Sequence, residues 1–112
     1  MINIKNYIMH ISSSEGLSRL NNCPSDLLAL FEHGSLNVEI YKPEIHDNQT
    51  PHDRDEIYVV ISGKGTFLNN DKRVNFKAGD FLFVPAGIEH RFTNFTADFS
   101  TWVFFYGPKG GE

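Results

Sequence analysis

Thr50-Pro-His-Asp-Arg-Asp-Glu-Ile-Tyr-Val-Val-Ile-Ser-Gly63 sets two potential metal ligands, His52 and Glu56, at the entrance to an apolar run. In an extended chain, side chains two or four positions apart project from the same face, so this imidazole and this carboxylate can enter one cavity. The run from Ile57 to Ser62 is apolar and largely β-branched, which predicts a strand covered on both faces. A third ligand lies downstream. In Pro85-Ala-Gly-Ile-Glu-His90-Arg-Phe, a Pro/Gly turn leads into another apolar strand and puts His90 at a similar entrance. Two histidines and one carboxylate are a complete ligand set for a divalent ion with open positions.

Working outward from this stretch, short apolar segments alternate with turn signals. Leu36, Val38 and Ile40 alternate with Asn37, Glu39 and Tyr41, giving a two-faced strand. Glu39 and Tyr41 then line a polar interior or face solvent. Pro43 to Pro51 has no periodicity and reads as a loop at the mouth of the cavity. Gly63-Lys64-Gly65, Asn69-Asn70-Asp71 and Lys77-Ala78-Gly79-Asp80 are turns, separating strands over 66–68, 73–76 and 81–84. Strands over 90–95 and 99–106 complete the set. Towards the N-terminus, residues 2–11 alternate well enough for an edge strand, and 12–22 is Ser/Asn-rich and reads as loop. Pro24-Ser25-Asp26 ahead of Leu27, Leu28, Leu30 and Phe31 predicts a short helix over 25–32, ended by Gly34.

Seven or eight short strands in 112 residues predict a single all-β domain spanning 1–112, a sandwich or barrel with one short N-terminal helix. No unit of two strands flanking a long helix is present, which excludes a parallel α/β sheet. A net charge of -4 with no basic run argues against nucleic acid as a partner. The polar residues that interrupt residues 1–10 fit neither a signal-peptide core nor a membrane span, so a cytoplasmic location and no membrane partner are expected. Cys23 is the single cysteine, which suits a reducing compartment.

Gly79, Pro85, Gly87, His90 and Asn94 reproduce a cupin motif: Gly, five residues, Pro, one residue, Gly, two residues, His, three residues, Asn. The chain therefore resembles the small single-domain cupins with a type-2 conserved barrel, over about residues 36–107. The other cupin motif runs Gly, five residues, His-x-His, three or four residues, Glu, six residues, Gly. His52, Glu56 and Gly63 match its second histidine, glutamate and final glycine, whereas Thr50 replaces the first histidine and Glu44 the leading glycine. The resemblance implies a double-stranded β-helix, or jelly roll, with residues 1–33 as an N-terminal strand and helix outside the barrel. It further implies one divalent metal (Fe, Mn, Ni, Co or Zn) on His52, Glu56 and His90 and a small-molecule ligand, while the apolar N-terminal segment and an exposed sheet edge suggest a homodimer.

Gln49 is a candidate fourth ligand through its amide oxygen; alternatively Thr50 faces an open position filled by water. Gln49, Thr50, Arg54, Tyr58, Phe92 and Trp102 are the candidate pocket residues. Arg54 either holds an anionic group or pairs with Asp53 or Asp55. Three functions are compatible with the pattern: metal-dependent oxidation of a small polar organic molecule by dioxygenase chemistry, ligand binding without turnover, or metal-aided isomerisation with His46 as base. The nucleophile-elbow and phosphate-loop motifs are absent, against hydrolase and nucleotide-binding functions.

Overall fold

The computed structural model describes residues 9–112, and among them strands dominate. Helix α1 (Ser13–Asn21) is followed by β1 (Leu27–His33), β2 (Leu36–Tyr41), β3 (Asp55–Ser62), β4 (Lys64–Asn69), β5 (Lys72–Lys77), β6 (Phe81–Val84), β7 (His90–Thr93) and β8 (Ser100–Tyr106). They form two antiparallel sheets, a five-stranded one in the order β1-β2-β8-β3-β6 and a three-stranded one in the order β5-β4-β7. This is the jelly roll anticipated above.

Two N-terminal expectations are corrected. Residues 12–22 are not a loop: Ser12 caps α1 by accepting a hydrogen bond from the Glu15 N–H (3.1 Å), and Glu15 pairs with Arg19 one turn on (2.7 Å). Gly16 lets the helix lie against the sheet, since a Cβ there would sit 2.9 Å from Ile40 Cδ1. Residues 25–32 are not a helix but mostly β1. The two-residue connection Gly34-Ser35, with Gly34 at φ 58°, returns the chain so that His33 faces Leu36 and Leu27 faces Tyr41. Pairing with β2 overrides the local helix signal. The edge strand expected over 2–11 falls mainly on residues 1–8, which lie outside the described residues; residues 9–11 are irregular.

Alternation sorts the large sheet into two faces. Tyr41, Glu56, Tyr58, Val60, Thr101 and Val103 are buried within the barrel, while Trp102 and Phe104 point outward. The far end of the interior is filled by aromatic rings. Phe92 packs on Phe67 (centroids 4.7 Å apart), Phe99 (4.7 Å), Tyr58 (4.8 Å) and Phe76 (5.3 Å). Gly63, at φ 84°, is required where the two sheets meet, because a Cβ would stand 2.6 Å from the Phe99 Cα. The near end of the interior is polar.

Candidate metal centre

The three sequence-predicted ligands converge from both sheets. Glu56 is on β3 of the large sheet and His90 opens β7 of the small one, while His52 lies in the segment leading into β3. His52 Nδ1 is 3.1 Å and His90 Nε2 is 3.2 Å from the same oxygen, Glu56 Oε1, and the two imidazole centroids are 5.3 Å apart. A ligand atom from each lies within 4.8 Å of the other two, the spacing of groups that can share one ion. The turn that delivers His90 also fixes His52: the Gly87 N–H, at φ 79°, donates to the His52 carbonyl (2.6 Å). Asn94, the last residue of the motif, adopts the left-handed conformation (φ 52°) that asparagine tolerates.

The hydrogen bonds of the site suit a metal. His90 Nδ1 lies 3.0 Å from the Ile88 carbonyl, and donation to that oxygen leaves Nε2 as the free, lone-pair nitrogen. His90 Nε2 and Glu56 Oε2 are both buried without a hydrogen-bond partner, the short approach of Nε2 to Glu56 Oε1 being off the hydrogen-bonding direction. Buried polar atoms are rarely left unpaired, and a cation between them would satisfy both. Burial by itself pushes the Glu56 carboxyl up, but the facing His52 and His90 rings and the Tyr58 hydroxyl outweigh it and hold the group below its ordinary 4.5. Burial likewise pushes His90 down, yet the Glu56 carboxylate and the Ile88 carbonyl raise it above its ordinary 6.5.

Around these ligands, the other predicted residues divide. Tyr58 belongs to the site: its hydroxyl donates to Gln49 Oε1 (3.2 Å), and burial followed by the Glu56 charge keeps it protonated well above 10. Gln49 is held by Asp47, to which its Nε2 donates (3.3 Å), so the amide oxygen is turned towards Tyr58. Thr50 is exposed and, with Gln49, Pro51, Leu68, His90 and Arg91, lines a mouth cleft of about 360 Å³. Arg54 pairs with neither Asp53 nor Asp55; its Nε donates to the Gly107 carbonyl (3.0 Å) and its Nη2 is buried without a partner. Phe92 stands behind Tyr58 in the aromatic core and borders the cleft beneath the mouth loop, beside His46 and Asp47. Trp102 is not brought to the site. It pairs with Ile40 and Val59 on the outward-facing side, beside α1, because its position in β8 has the opposite parity to Val103. His46 is exposed and outside the ligand group.

Three groups matter more than their sequence context suggests. Asp47 is 3% exposed and accepts from the Tyr41 hydroxyl (2.8 Å), the Phe92 N–H (2.9 Å), the Gln49 N–H (3.1 Å) and the Gln49 amide. It pins the mouth loop to the barrel wall, and only its place in an aperiodic loop rich in polar residues hinted at this. Asp55 accepts from the Ala86 (2.9 Å) and Glu112 (3.0 Å) N–H groups, which hold its carboxyl low and tie the His90 turn and the C-terminal tail to β3. Glu39 faces the interior, resolving the two alternatives for β2. Burial raises its carboxyl, against the Asn37 amide that donates to it, and the nearby Glu56 charge raises it further.

A model of the family described as "Cupin domain" matches residues 37–106, well over half of the chain. An uncharacterised protein of Streptomyces coelicolor is 33% identical over 63 residues, 56% of this chain and 60% of that protein. An acireductone dioxygenase of Leishmania major is 36% identical over 84 residues, 69% of this chain but 24% of the enzyme. The chain thus spans less than two thirds of the length of these curated relatives. In three dimensions, the crystal structure of a cupin-2 domain protein of Shewanella frigidimarina superposes with a TM-score of 0.68 at 20% identity, covering 87% of this chain and 94% of that one. With the glycine, proline, histidine and asparagine spacing, the two antiparallel sheets and the match over residues 37–106 in agreement, the chain belongs to the cupin family.

Proposed function

We propose that this cupin binds one divalent metal on His52, Glu56 and His90 and uses it to act on a small polar organic molecule, with dioxygenase-type oxidation as the leading chemistry. The observation that carries this reading is the pair of buried, unpartnered ligand atoms, His90 Nε2 and Glu56 Oε2, beside the His52 imidazole. Three protein ligands leave open positions, the arrangement that lets non-haem Fe(II) hold a substrate and dioxygen together; Mn, Ni, Co and Zn accept the same donors. The relationship to acireductone dioxygenase sequences supports oxidation.

When bound, the metal supplies Lewis acidity and, if redox-active, a route for electrons to dioxygen. This chain's own residues set the conditions. Glu56 brings a negative charge that offsets half of the cation's, and the Ile88 carbonyl fixes the His90 tautomer. Tyr58 stays protonated and links the ligands to Gln49, whose amide oxygen accepts its hydrogen bond. Phe67 and Phe92 close the interior behind Tyr58 and exclude water. Access is through the mouth cleft beside Thr50. Phe81 and Phe83, 63% and 40% exposed on edge strand β6, support the expected homodimer, since a second copy would cover them.

Elemental analysis of anaerobically purified protein beside His90→Ala tests the assignment. Near-stoichiometric metal is expected in the unaltered chain and a small residual fraction in the variant; equal content in both would remove the site. Iron with oxygen uptake on a substrate screen is expected for oxidation, whereas zinc or nickel without uptake would leave binding or isomerisation.

A further inference from the structure

We propose that Asn37 and Glu39 form a subsite for adjacent hydroxyl groups of a neutral, polyhydroxylated small molecule. This rests on the metal-centre reading above and names the substrate class for it. Both residues are on β2 and, being two apart, share its inward face. Across the sheet, Asn37 pairs with Phe105 and Phe105 with Glu56, while Glu39 pairs with Val103 and Val103 with Tyr58. The Asn37–Glu39 pair and the Glu56–Tyr58 pair therefore stand two strands apart, roughly 10 Å between backbones, with Phe105 and Val103 as the floor between them. Phe105 meets His52 edge-on (centroids 4.9 Å apart), so the floor leads directly to a metal ligand.

The chemistry of the pair selects its partner. The Asn37 amide donates to Glu39 Oε2, which orients both groups and leaves Asn37 Oδ1 and Glu39 Oε1 buried without hydrogen bonds. Two unmet acceptors side by side call for a ligand with two neighbouring donors. An anion is disfavoured by the carboxylates of Glu39 and Glu56, and an ammonium ion would add positive charge beside a divalent ion held by His52, Glu56 and His90. Hydroxyls donate without carrying charge. The half-buried Phe105 ring suits the C–H face of the same molecule.

Titration calorimetry on the zinc-loaded and metal-free protein with cis-1,2-cyclohexanediol, cyclohexanol and cyclohexylamine tests the proposal. The diol is expected to bind more tightly than either of the others, and at least about tenfold more weakly to Glu39→Gln, whose amide nitrogen would present a donor where an acceptor is needed. Asn37→Ser should weaken diol binding by a smaller factor, with zinc content unchanged in both variants. Equal diol affinity in Glu39→Gln and the unaltered chain, cyclohexylamine or cyclohexanol binding as tightly as the diol, or no diol binding at all would overturn the subsite. Loss of zinc with retained diol selectivity would instead count against the metal centre alone.

Discussion

The two ends of the barrel interior are built on opposite principles. At one end, Phe67, Phe76, Phe92 and Phe99 fill the space with rings at 4.7 to 5.3 Å, and each added contact stabilises the fold. At the other, Glu39, Glu56 and His90 are drawn out of water while atoms on each are left unpaired. Each such atom costs about 1–3 kcal/mol. The aromatic end thus offsets a mouth that is unfavourable until something binds there, and the division of labour within one cavity separates stability from chemistry.

Phe92→Ala should strike this contrast hardest, lowering the unfolding free energy by about 3–5 kcal/mol in denaturant titrations, with the metal ligands themselves untouched. A loss below 1 kcal/mol would mean that the rings do not carry the fold. Asp47→Ala lies on the boundary between the two ends. It removes the shared acceptor of Tyr41, Gln49 and the Phe92 N–H, so a loss of about 2–3 kcal/mol is expected. Metal affinity should fall as well, since the orientation of Gln49 is lost; unaltered affinity would separate the mouth loop from the site.

The smallest effect is one of pH on the metal-free protein. His90 is raised in the folded chain, so its contribution is fully present below 6.5 and is lost as pH rises through its folded value. Glu56 is depressed, so its contribution is present above 4.5 and lost as pH falls through its folded value. Metal-free melting temperatures should therefore peak between these two values and decline towards alkaline pH. Zinc should reverse the alkaline decline, because the ion competes with the His90 proton. A flat metal-free profile across pH 5 to 9 would show that the His90–Glu56 pair does not form.

The ligands were legible from sequence because strand parity and turn chemistry act locally. Four positions separate His52 from Glu56, and Pro85 and Gly87 announce the turn before His90. What escaped depends on partners distant in the chain. Leu27 to Phe31 carry a helix-like run of apolar residues, and only the ladder with β2 makes them a strand. The N-cap Ser12 was present in a stretch whose serines and asparagines suggested a loop. Trp102 and Val103 are neighbours in sequence but lie on opposite faces of β8, a distinction fixed by the register with β3 and β2. Asp47 gave no signal beyond its place in an aperiodic polar loop, because its function is to accept hydrogen bonds from β2, β7 and its own loop.

The hydrogen bond from the Gly87 amide to the His52 carbonyl joins two segments that are 35 residues apart in the chain. An ion held by His52 and His90 would close a second, inorganic link across the same junction, making a small ring of backbone and metal. Opening either segment would then require breaking both links at once, so slowed exchange of the Gly87 amide with deuterated solvent becomes a built-in gauge of occupancy.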